Sequence, residues 1–199
     1  MLSFAAAILF LIATPGPGVL TTAGVGSAFG YRAGLRYVAG LGIGNNIVAL
    51  AVISGLAAIV LSVPVIRVVL AVLSALYLGY LALRIALSGS RVAFIEAAAA
   101  PGLVDGVLLQ FINPKAYAVN TTLFANFAFT GMSLGAETAA KLLILNAIWI
   151  PIHLLWLYAG VTLHRLELPE RWQRRINLAM AAALLLVVAL ALRSTLGAY

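Results

Sequence analysis

The chain has no cysteine, and only five of its 199 residues are acidic. The first absence excludes a disulfide scaffold and any thiolate metal or redox site. The second leaves charged residues at 9% of the total, which excludes most water-soluble folds, because a soluble domain carries about a quarter charged residues and covers its surface with them. Also missing are the GxxxxGK[ST], HExxH and GxSxG patterns, so nucleotide-driven transport and the commoner hydrolase chemistries have no support in the sequence. What is present is apolar: 64% hydrophobic residues, with a net charge of +7. The basic residues are scattered between apolar runs rather than gathered on one polar face, so nucleic acid is not the expected partner. This is the composition of an integral membrane protein, with no cofactor and no metal expected.

Crossing a bilayer core of ~30 Å takes ~20 apolar residues in a helix. Six segments fit that length: Ser3–Val25, Val38–Ser62, Val65–Leu87, Gly106–Phe129, Ala139–Leu163 and Ile176–Leu196. They are continuously apolar and rich in Ala and Leu rather than alternating, which argues for helices over barrel strands. The first is not expected to be a cleaved signal peptide, since no Lys or Arg precedes it and it lacks a short apolar region ending at a small-residue site.

The basic residues set the expected orientation. Arg32, Arg36, Arg84, Arg91, Arg165, Arg171, Arg174 and Arg175 fall on the odd-loop side, eight against Arg67, Lys141 and Arg193 on the other. The odd loops are therefore expected in the cytoplasm, with both termini outside. Trp149, Trp156 and Trp172 are candidate anchors at the membrane interface, Trp156 the deepest.

The two halves resemble each other at an offset of about half the chain. Pro15 of the first span aligns with Pro114 of the fourth, and at nearly the same offset Asn45 and Asn46 meet Asn146. Three spans per half is an odd number, so the halves would insert with opposite topology, as in the inverted repeats of secondary transporters. The expected fold is all-α and membrane-embedded. Its six transmembrane helices form one transporter domain of two inverted three-helix repeats, about 1–90 and about 100–199.

Pro15, Gly16, Pro17 and Gly18 lie well inside the first span. Proline removes a backbone donor and clashes with the preceding turn, so two prolines interleaved with glycines break the helix. In hydrocarbon such a break is tolerated only where protein packs it or a wet cavity meets it. The fourth span carries the matching irregularity, Asn113-Pro114-Lys115. Roughly eight residues into the span, Lys115 stands near the midplane at 1.5 Å per residue. A charge there costs at least ~2.5–3.5 kcal/mol, which makes an inward-facing functional site the default. Its stem reaches ~6 Å against a half-thickness of ~15 Å, too short to snorkel. Glu96, Asp105 and Glu137 all fall in loops or at span ends. Lys115 is therefore neutral, bound to backbone carbonyls, or a receptor for the anionic group of a ligand. Asn45, Asn46, Gln110, Asn120 and Asn146 cluster at a similar level, where interhelical hydrogen bonding explains a buried amide as well as a ligand does. His153, just after Pro151, is the one histidine inside a span, either a core residue or a proton carrier.

Together these features carry a resemblance. Pro-Gly-Pro-Gly in the first span, Gly30-Tyr31-Arg32-Ala33-Gly34 after it, Tyr77-Leu78-Gly79-Tyr80-Leu81 in the third and Asn113-Pro114-Lys115-Ala116 in the fourth resemble the lysine exporter family, the LysE/RhtB group. The resemblance spans essentially the whole chain. It implies a bacterial inner-membrane exporter of an amino acid or close derivative, driven by protons, and no enzyme. Many members carry an acidic residue near the position of Asn45 and Asn46; this chain has none there, which favours a zwitterion over lysine or arginine. The family's cadmium-linked branch is not expected, for want of intramembrane Cys, Asp or Glu.

Expected substrate-binding residues are Pro15, Gly16, Pro17, Gly18, Asn45, Asn46, Asn113, Pro114, Lys115 and Asn146, with His153 the proton-coupling candidate. Expected partners are a small zwitterionic amino acid, protons and the lipid bilayer, with a homo-oligomer left open. The competing expectation is a membrane-embedded scaffold without transport.

Overall fold

Proline decides where the helices restart. The computed structural model describes residues 1–13, 16–87, 100–165 and 169–196. Helix α1 (Leu2–Ala13) ends before the Pro-Gly-Pro sequence, and α2 (Pro17–Ile53) begins on Pro17. A proline there is harmless, because the first helical N–H has no intrahelical partner anyway. The same device recurs at α5 (Leu103–Ile112) and α6 (Pro114–Asn126), which flank Asn113. The counterpart of Pro114 is thus Pro17 as a helix-starting residue; Pro15, expected in that part, lies outside the described residues, as do Arg91 and Glu96. The other helices are α3 (Leu56–Ser62), α4 (Pro64–Leu87), α7 (Leu134–Arg165) and α8 (Glu170–Leu196).

All described secondary structure is helical. Among the described residues, three helices are long and apolar enough to cross a membrane: Pro17–Ile53, Val68–Leu87 and Leu134–Thr162. The chain is a multi-pass membrane protein. One expected connection proves tighter than expected, and one expected boundary is corrected. The first two expected spans are separate but joined by a tighter turn than expected: the chain stays helical up to Gly30, reverses there at a φ of 78° that is open to glycine at little cost, and resumes as helix through Arg32 and Arg36, so that Thr21 and Tyr37 come within a 3.0 Å hydrogen bond. The second expected span does not continue unbroken to Ser62, because Gly55 at φ 75° separates α2 from α3.

Helix α2 is the central element. It packs along α7 and α5 and touches α6, while α4 pairs with α8. Glycine permits the closest crossings, as small residues do generally between membrane helices. A Cβ on Gly106 would strike the backbone of Tyr37 and Gly40, and one on Gly40 the carbonyl of Leu103. On the α7 side, Gly160 lies against the carbonyl of Ala23, and Gly26 and Gly34 both close on Leu157 across the Gly30 interruption. At the far end, the Phe4 ring makes edge contacts with Phe124, Phe127 and Phe129 at centroid distances of 5.4–6.4 Å.

These crossings predict a contrast. Gly106→Leu should destabilise the folded chain by at least the ~1–3 kcal/mol of an overpacked core. Gly79→Ala, with nothing within 4 Å of the added Cβ, should leave thermal unfolding in detergent unchanged.

Candidate functional site

The two restarted helices point their N-termini at one place. Lys115 stands in the first turn of α6, and its side chain crosses to the break between α1 and α2. A Cβ built on Gly16 would lie 2.7 Å from Lys115 Cδ and 3.0 Å from Nζ. Only a glycine at 16 leaves room for that stem. The residues around the lysine enclose a cavity of about 50 Å³, enough for a few waters at the ~10–15 Å³ that one requires.

Each side chain has a local reason for its place. Asn113 caps α6: its Oδ1 accepts from the Lys115 N–H at 3.1 Å, and its Nδ2 donates to Gln110 Oε1 at 3.2 Å. The carbonyls that Pro114 would otherwise orphan are occupied, Gln110 O by the Asn113 N–H and Phe111 O by the Tyr117 hydroxyl at 3.0 Å. The first break is different. Gly16, the N-cap of α2, offers no capping side chain, and Gly18 and Val19 of that first turn line the cavity. Leu11 and Ile12 of the last turn of α1 line it too. That turn ends in carbonyls without intrahelical donors. The start of α2 is stiffened by Thr21 and Thr22, whose hydroxyls donate to Pro17 O at 2.6 Å and Gly18 O at 2.8 Å, while the Tyr37 hydroxyl donates to Thr21 Oγ1 at 3.0 Å.

On the α7 side, His153 is buried and its ring stacks on Trp149 with centroids 3.6 Å apart. Its Nδ1 lies 2.9 Å from the Trp149 carbonyl. A carbonyl only accepts, so Nδ1 carries the hydrogen and the neutral ring keeps Nε2 as its acceptor. That nitrogen approaches Gly18.

Of the expected residues, Gly16, Gly18, Asn45, Asn113, Lys115 and His153 line this one cavity. Pro17 is buried beside it and Pro114 is exposed; neither is among the lining residues. Asn46 and Asn146 bind each other instead: each Nδ2 donates to the other's Oδ1, at 2.9 and 2.8 Å, and also to the carbonyl four residues earlier in its own helix. Asn45 takes a hydrogen bond from Asn120 Nδ2 at 3.1 Å, but its own buried Nδ2 has no partner.

Sequence reasoning assigned no cavity role to Trp149 and left Gln110 open among the clustered amides; both line the site. Trp149 is 4% exposed, so the expected interface anchor is a wall of the cavity. Trp172 is exposed and holds Arg175 over its ring at 5.0 Å. Lys141, placed by the sequence among the charges at span ends, stands in the second turn of α7, where it is 5% exposed and paired with Glu137 at 2.6 Å. Among the described residues no cluster of His, Cys, Asp and Glu could hold a metal ion.

A family model described as LysE type translocator matches residues 9–195. Neither a curated protein nor a solved structure matches.

The approach of Lys115 to Gly16 predicts a separable defect. Gly16→Ala should fold normally, since the colliding atoms belong to a flexible stem, yet lower transport roughly 10–100-fold, the scale of a misplacement of about 1 Å. Melting temperature and vesicle flux, measured on the same preparation, check both halves.

Proposed function

The chain belongs to the LysE type translocator family, and from that premise we propose that it exports a small zwitterionic amino acid, or a close derivative, across the bacterial inner membrane. The observation that carries this reading is the meeting of two helix N-termini and Lys115 at one small cavity. Helix N-termini carry partial positive charge, and lysine adds a full one, so the cavity suits a carboxylate. The N–H groups of Gly18 and Val19 and the unpartnered Asn45 Nδ2 supply further donors for it. The last carbonyls of α1, beside Leu11 and Ile12, suit the ammonium. Among the described residues no acidic side chain lines the cavity, which disfavours a substrate with a second positive charge.

The mechanism we infer is alternating access about this site by two inverted three-helix repeats. Support comes from the paired breaks at Gly16 and Asn113 and from the Asn46–Asn146 pair, whose matching bonds are those of two equivalent residues facing each other across a two-fold axis. In that role Asn46 and Asn146 hold the repeats together rather than touch substrate. Pro15, Pro17 and Pro114 serve by ending and restarting helices. His153 is the proton carrier: Nε2 accepts a proton while Nδ1 stays fixed on the Trp149 carbonyl, and the charged ring then disfavours a second cation in the cavity. The arginine count puts the odd connections in the cytoplasm and both termini outside.

Two outcomes test this. Lys115→Met should insert normally and abolish efflux from amino-acid-loaded vesicles; undiminished efflux would remove the central claim. His153→Gln should export at a rate indifferent to an imposed pH gradient, and a gradient-dependent rate in that variant would rule out the histidine as carrier.

A further inference from the structure

The chain has two lysines, Lys115 and Lys141, and each borders a cavity. The cavity beside Lys141 is the larger, about 530 Å³. Helices α2, α6 and α7 line both, five to eight positions apart in these pairs: Asn45 gives way to Val52, Val119 to Phe124, and Trp149 to Lys141. At 1.5 Å per residue the second cavity lies ~8–12 Å along the same groove. It opens beside the connection between α6 and α7, the outer side by the arginine count.

The chemistry of this cavity is unusual for the chain. Glu137 and Lys141 occupy one face of α7 at i and i+4, their charged atoms 2.6 Å apart. Glu137 Oε1 also accepts the Phe129 N–H at 3.1 Å, and the Lys141 ammonium sits over the rings of Phe129 and Phe124 at 5.4 and 5.9 Å. Burying an ion pair carries a desolvation penalty that its own attraction repays poorly. Here the pair borders a space large enough for a guest. A zwitterion entering that space offers one carboxylate and one ammonium, so it can take Lys141 and Glu137 as partners without leaving a charge unmatched. Its side chain would meet Val52, Ile53 and Phe124.

We propose that the Glu137–Lys141 pair forms a second binding site for the zwitterion, on the release side of the Lys115 cavity. The ligand class rests on the proposed function; the site itself is separate from Lys115. An amino acid leaving the central cavity passes to a site of matched charge before it reaches water. Holding it there draws Glu137 off the Phe129 N–H and loosens the aromatic contacts around Phe4.

The natural absence of cysteine gives a clean test. Ala125→Cys, in the exposed wall of this cavity, would be the full-length chain's only thiol. Its labelling by a membrane-impermeant thiol reagent is followed with glycine, alanine, serine or threonine added to about 100 mM, enough to fill a millimolar site. At least one should slow labelling about tenfold once it exceeds Kd about tenfold. The protection should persist when Lys115→Met is added, disappear in Lys141→Met and in Glu137→Gln, and survive in Lys141→Arg. Should Lys141→Met fail to insert, Glu137→Gln, nearly the same size, gives the same reading. No protection by any of the four in the Lys115→Met chain would overturn the second site, as would protection undiminished by Glu137→Gln. Failure of the central reading looks different: efflux then survives Lys115→Met, whatever happens at Ala125→Cys.

Discussion

A bilayer core supplies no water, so every backbone group freed by a helix break and every charge brought inside must find its partner within the protein. Two breaks and a lysine at one level are therefore mutually dependent. Asn113 caps α6 and so fixes the direction in which Lys115 leaves it. Lys115 then fills the space that Gly16 leaves at the head of α2. The α5–α6 break satisfies its own freed carbonyls, whereas the start of α2 has no capping side chain. Together they border a largely apolar cavity whose remaining donors, at the uncapped start of α2 and on Asn45, favour an anionic group.

The surrounding packing serves that meeting. Gly106 and Gly40 bring α5 against α2, and Gly160 brings α7 against α2. These close crossings set the α5–α6 break level with the α1–α2 break and present Trp149 and His153 from the third side. The Asn46–Asn146 pair joins α2 to α7 by two reciprocal bonds, a polar clasp of the kind that holds membrane helices together where apolar surface gives no preference over lipid.

Much of this was legible in the sequence because proline, glycine and a lone lysine are rare signals with strong local consequences in hydrocarbon. The Pro-Gly run of the first span and Pro114 in the fourth marked the two helix breaks, although the sequence paired Pro114 with Pro15 where the structure starts a helix on Pro17. Other features were hidden because they depend on which helix faces meet. Trp149 stands at a height consistent with an interface anchor, and only the stacking on His153 shows that it turns inward. Lys141 sits at a span end in the count, yet its pairing with Glu137 depends on the loop of Phe129 folding back over α7. Gly30 was equally ambiguous. A glycine between two apolar runs fits a long loop or a sharp reversal, and the Thr21–Tyr37 bond, with Gly26 and Gly34 both against Leu157, fixes the latter.

The central claim is that Lys115 receives the substrate carboxylate, and an interatomic distance tests it most directly. In Lys141→Arg protein Lys115 is the only lysine, so lysine labelled with 15N at Nζ marks that one atom. Solid-state magnetic-resonance recoupling to the 13C-carboxylate of a bound amino acid then measures their separation in membranes. The account predicts about 3–4 Å, the separation set by a charge-assisted hydrogen bond of about 2.7–2.9 Å. A bound amino acid whose carboxylate shows no coupling to that nitrogen would contradict it.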